Sequence, residues 1–82
     1  MRWNLRVLKA ECETVINQTL TYRDIQDESG VSKSTISKIM KGESTTADFD
    51  VTQKLLGFFS KKMGRKLELS DILYYEPDEQ LN

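Results

Sequence analysis

Histidine is absent from this chain, and cysteine and proline occur once each, as Cys12 and Pro77. Without histidine there is no imidazole acid-base catalysis, no Cys-His nucleophile and no zinc-finger ligand set. A single thiol excludes a disulfide framework within the chain and suits a reducing compartment. No apolar run approaches the roughly 18 residues that cross a bilayer. The opening Met1-Arg2-Trp3-Asn4-Leu5-Arg6 also lacks the apolar stretch of a signal peptide. The chain is therefore expected to be cytoplasmic, with no membrane partner. Its 82 residues, 38% of them hydrophobic, suffice for one core but leave little bulk for a substrate cleft or a separate effector domain. No cofactor, metal or small-molecule substrate is expected.

Charge of either sign is nearly balanced, at −1 net, but it is unevenly placed. Residues 67–82 hold five acids and no base, whereas residues 1–66 hold twelve bases against eight acids. An acidic end on a mildly basic body suits both a solvated surface and a functional one, so the local pattern has to decide.

Glycine is scarce enough to act as punctuation: Gly30, Gly42 and Gly64, with Pro77, cut the chain into helix-sized pieces. In the first piece Leu5, Leu8, Cys12, Val15 and Ile16 recur at helical spacing, which predicts a helix over 4–17 with Cys12 as a small buried hydrophobe. Thr21 and Asp24 form a capping-box pattern for a second helix from Tyr22 to about Glu28, with Leu20 as its hydrophobic staple. Ser32 caps a third helix from Lys33 to about Met40, striped by Ile36, Ile39 and Met40. After the polar loop at 43–47, Asp48 or Asp50 caps a fourth, central helix whose apolar residues Val51, Leu55, Leu56, Phe58, Phe59 and Met63 occupy more than one face. Residues 69–73 give one last short turn. Met1–Trp3 and Leu73–Tyr75 have strand-like composition and permit a two-stranded pairing of the two ends.

Residues 21–42 carry the most information. Two short helices meet across the Ser29-Gly30-Val31 turn, and Ile25, Val31, Ile36 and Ile39 are phased to pack them together. The outward face of the second of these helices shows Lys33, Ser34, Ser37, Lys38 and Lys41, with no acid between Val31 and Gly42. Small hydroxyls beside lysines make a face able to approach base-pair edges and neutralise phosphates.

This stretch resembles the helix-turn-helix of the Cro/C1-type repressors, the xenobiotic-response-element-like group of small transcriptional regulators. The resemblance rests on Gly30-Val31-Ser32, Ser34-Thr35-Ile36-Ser37, Ile39 and Gly42, and extends more loosely over 4–76. It implies an all-α, five-helix lambda-repressor-like domain over 1–76, with short terminal strands in several members, followed by an acidic tail at 77–82. It implies a bacterial or phage regulator of sequence-specific double-stranded DNA binding, leaning to repression, that acts as a homodimer on a palindromic operator with helix 33–41 in the major groove. On the matching positions, Lys33 and Ser34 are the base readers, with Ser37 and Lys38 one turn on. Ser32, Thr35, Tyr22 and Arg23 are candidate phosphate contacts, and Lys41, Thr45 and Thr46 candidate clamps on the flanking backbone. For Ser32 a cap alone, and for Tyr22 partial burial, are equally good readings. Trp3, Phe58, Phe59, Tyr74 and Tyr75 are candidates for the dimer interface or for the core. Two positions depart from the family pattern: Gln26 stands where a small residue, commonly alanine, lets the helices approach, and Ser29 where a larger apolar residue is frequent.

The competing reading is a protein-interaction module, an antitoxin or adaptor that keeps the fold and uses its surface on another protein; the acidic end favours it. Single-stranded RNA binding fits less well, because no aromatic residues interleave the lysine face. An enzyme fits least: Asp24, Asp27, Glu28, Asp48 and Asp50 have caps and solvated faces as sufficient explanations.

Overall fold

The computed structural model describes residues 2–43 and 48–74. A short strand β1 (Arg2–Trp3) leads into α1 (Leu5–Ile16), α2 (Tyr22–Ser29), α3 (Lys33–Met40), α4 (Phe49–Met63), α5 (Leu69–Ile72) and a closing strand β2 (Leu73–Tyr74). The two strands pair antiparallel, Arg2 opposite Tyr74 and Trp3 opposite Leu73. Asn4 continues the clasp, its N–H donating to the Ile72 carbonyl at 2.7 Å and its side-chain amide to that of Asp71 at 3.3 Å. The two ends of the domain are thereby joined, as the strand-like composition permitted.

One core holds the helices. Leu5, Leu8, Cys12, Ile25, Ile36, Leu55, Phe59 and Ile72 are almost wholly buried, and they come from all five helices. α4 is the centre of the bundle and packs against α1, α2 and α5. Phe58 and Phe59 meet edge to face, with ring centroids 4.9 Å apart, and both are buried. They belong to the core, and Trp3 packs partly buried against it. Three of the five aromatic residues considered for a dimer interface are thus engaged within the protomer. Tyr75 and the side chain of Tyr74 lie outside the described residues.

Caps explain where the helices start. Thr21 Oγ1 accepts from Asp24 N at 3.1 Å while Asp24 Oδ2 accepts from Thr21 N at 3.0 Å, the reciprocal capping box that the sequence predicts. Leu20 and Ile25, the staple pair, are both buried. Asp48, not Asp50, caps α4, its Oδ1 taking the N–H groups of Asp50 and Val51. At α5 the cap is Glu68, and Asp71 reaches back to accept from Glu68 N at 2.7 Å. Val15 also departs from expectation: it lies on the side of α1 that carries Leu8 but is exposed in the last turn of the helix, while its neighbour Ile16 packs partly buried against the core. Cys12 is buried as expected, and desolvation raises its thiol pKa, opposed by Lys62 and reinforced by Glu13.

Candidate nucleic-acid interface

The segment from Thr21 to Gly42 is built from its turn outward. Gly30 takes φ +83°, the left-handed conformation that reverses the chain between α2 and α3, and its N–H closes on the Gln26 carbonyl at 2.9 Å. Val31 then buries its side chain beside Ile25, Ile36 and Ile39 in the shared core. The two departures from the family pattern both become hydrogen bonds at this turn. Ser29 Oγ donates to the Ile25 carbonyl and accepts from Val31 N at 3.1 Å. Gln26, half-buried on α2, reaches past the turn so that its Oε1 accepts from Lys33 N at 2.8 Å. A polar side chain at a helix contact needs a partner, and here the first residue of α3 supplies it.

Each end of α3 is fastened. Ser32 Oγ accepts from Thr35 N at 3.3 Å, donates to Thr35 Oγ1 at 2.9 Å, and lies 3.3 Å from Ser34 Oγ. At the other end Glu43 N reaches the Lys38 carbonyl and Gly42 N the Ile39 carbonyl, the double closure of a Schellman turn. Arg6 Nη2 from α1 adds a 2.7 Å bond to the Met40 carbonyl. Ile36, Ile39 and Met40 are buried on the inner face. Lys33, Ser34, Lys38 and Lys41 are exposed on the outer one, with Thr35 and Ser37 half-buried between.

The helix-turn-helix family model HTH_3 matches residues 13–65, well over half of the chain. The chain belongs to the Cro/C1-type helix-turn-helix family. That makes this domain a DNA-binding regulator. No curated protein and no solved structure matches the chain.

In this helix-turn-helix domain the candidate residues Lys33, Ser34, Ser37, Lys38 and Lys41 share one face of α3 and its cap. Ser32 is fully committed to capping by its hydroxyl. Tyr22 and Arg23 open α2 on its exposed side; Arg23 lies 3.9 Å from Asp27, an ion pair with both side chains largely in water. Such a pair holds its partners weakly and leaves the guanidinium accessible. Asp24 is spoken for by the capping box, and its carboxyl is held below the usual range by the Thr21 N–H and then the Thr21 hydroxyl. Thr45 and Thr46 lie outside the described residues. Of the basic run at 61–66, Lys62 pairs with Glu28 at 2.9 Å and sits 5.9 Å over the Phe58 ring, so it braces α4 against α2.

Among the described residues no group of histidine, cysteine, aspartate and glutamate side chains is arranged to hold a metal ion. No helix among them is long and apolar enough to cross a membrane. Three residues that position α2 and α3 carried no functional signal in the sequence. Arg6 reaches α3 from 34 residues away. Glu13 fixes the approach to α2 by accepting from Leu20 N at 2.7 Å. Gln26 was visible only as a misfit in the family pattern.

Proposed function

We propose that the domain represses transcription by binding a palindromic operator as a homodimer, with α3 of each protomer in the major groove. The carrying observation is the outer face of α3: Lys33, Ser34, Lys38 and Lys41 are exposed together, Ile36, Ile39 and Met40 anchor the opposite side, and no acid interrupts the helix. Lys33 and Ser34 read base edges at the start of the helix, and Ser37 and Lys38 one turn on. Lysine donates to guanine O6 and N7, and serine serves most bases. Tyr22, Arg23 and Thr35, with Ser32 through its backbone amide, face phosphates near the α2 and α3 starts, and Lys41 and Thr45 flank the groove. One such domain covers a single half-site, so a regulator of this size works as a pair on half-sites about 34–36 Å apart.

The test is selection from a random duplex pool at about 150 mM salt, where non-specific phosphate binding is weakened. An enriched inverted repeat supports the dimeric repressor. A single enriched half-site keeps specific DNA reading and removes the dimer. Weak, salt-sensitive retention without enrichment removes base reading and moves the α3 face to a protein partner.

A further inference from the structure

Gln26 does what the small residue usual at its position cannot. Its Oε1 takes the Lys33 N–H at 2.8 Å, bridging the middle of α2 to the first residue of α3. The first N–H groups of a helix have no partner inside the helix. In α3 the cap Ser32 satisfies Thr35 N, and the Lys33 N–H is taken by Gln26. With Ser29 Oγ on Val31 N, two side chains of α2 hold the backbone on the far side of the turn. Because Lys33 N is a donor, only the oxygen of the carboxamide can face it, which fixes the orientation of the Gln26 amide.

We propose that Gln26 is a specificity-determining positioning residue: its bond to Lys33 N sets where the start of α3 lies and thereby which base step Ser34 and Lys33 read. The proposal rests on the reading of α3 as the helix in the major groove. A backbone fastened at Lys33 N is fixed next to the Cα atoms of Lys33 and Ser34. The two side chains differ in how far they depend on that. Lysine has a four-carbon flexible stem and follows a displaced backbone. Serine has a one-carbon reach and loses its base contact when the backbone moves by a fraction of a hydrogen-bond length. Discrimination at the step facing the start of α3 therefore depends on Gln26, and discrimination facing Ser37 and Lys38 does not.

The experiment compares the duplex-pool profiles of the wild-type protein, Gln26→Leu and Gln26→Glu, each checked for folding by circular dichroism and thermal denaturation. Leucine removes the acceptor at similar bulk. Glutamate keeps an acceptor at the positive end of α3 but adds a charge that repels phosphate. Gln26→Leu is expected to lose about tenfold in base preference at the step facing the start of α3, and less than about twofold at the steps facing Ser37 and Lys38. Gln26→Glu is expected to bind all sequences more weakly with the wild-type profile preserved. A purely structural role would lower stability, or affinity on every sequence, and leave the profile unchanged in both variants.

A folded Gln26→Leu with the wild-type profile overturns the positioning role and leaves the groove-reading helix standing. A wild-type protein that enriches no sequence overturns the groove reading itself. Should Gln26→Leu not fold, amide exchange of Lys33 in the wild-type protein decides: protection supports the bridge, and exchange at the rate of a free amide overturns it.

Discussion

Arg6 Nη2 and the carbonyl oxygen of Met40 lie 2.7 Å apart, so a side chain of the first helix closes the last turn of the third. The final carbonyls of a helix have no partner within it, and a guanidinium there also meets the negative end of the helix dipole. Arg6→Ala is expected to lower stability by about 1–2 kcal/mol, the scale of a hydrogen bond to a charged group less what water regains. Urea denaturation would show it as a lower midpoint at an unchanged slope. A midpoint equal to wild type would mean that water replaces the guanidinium at no cost.

The three lysines of the α3 face separate by role. Lys33→Ala or Lys38→Ala is expected to cost about 1–3 kcal/mol at one base step and to relax the preference there, whereas Lys41→Ala weakens every sequence alike and reduces the salt slope by about one. Affinity titrations on the selected operator and on single-step variants of it, at several salt concentrations, distinguish the two patterns. Equal losses on all sequences for all three variants would reduce Lys33 and Lys38 to phosphate contacts.

How much of this was legible in the sequence depended on the range of the interaction. The capping box at Thr21 and Asp24, the Ser32 cap, the left-handed Gly30 and the Ile36–Ile39 stripe are local, and each stands where the spacing placed it. Val15 shares the side of α1 that carries Leu8, but it lies two turns further on, in the last turn of the helix, and is exposed there; the angle on the wheel does not report how far along the helix the core extends. The cap of α5, Glu68, carries no capping signature of its own, because it is set by a carboxylate three residues on, Asp71. Arg6 and Gln26 were out of reach for another reason. Their partners are the backbone groups of Met40 and Lys33, which carry no residue signature and are brought near only by the fold.

Acid should destabilise the domain at two named carboxylates. Glu13 is held below the ordinary carboxylate range by the N–H of Leu20, with Lys9 assisting, and Asp24 by the N–H and hydroxyl of Thr21. In the unfolded chain both take up protons near pH 4, and in the folded one only at lower pH. The folded state therefore binds fewer protons between those values, and stability rises with pH across that window. Their contribution is complete above about pH 5 and is lost as pH falls through the depressed values. Glu13→Gln should be less stable than wild type at neutral pH, with the two denaturation midpoints converging in acid. Midpoints that stay a constant distance apart down to about pH 3 would show that Glu13 contributes nothing through its charge.

Two glycines should respond to alanine with opposite signs. A Cβ built at Gly30 or at Gly57 meets nothing within 4 Å, so neither substitution creates a clash with a neighbour. Only the backbone then distinguishes them. Gly30 holds φ +83°, where an L side chain costs about 1–2 kcal/mol, and Gly30→Ala should lower stability by about that amount. Gly57 lies inside α4, outside the left-handed region, where glycine gives up about 0.5–1 kcal/mol to alanine through unfolded-state entropy, and Gly57→Ala should raise stability correspondingly. Thermal denaturation of the two variants reads both signs. Because α4 packs on α2 but does not itself form the turn, Gly57→Ala should leave operator preference intact, while Gly30→Ala, by moving the start of α3, should alter it. A Gly30→Ala protein that lost stability yet kept the full wild-type preference would show that the angle of the turn tolerates more strain than base reading at Ser34 allows.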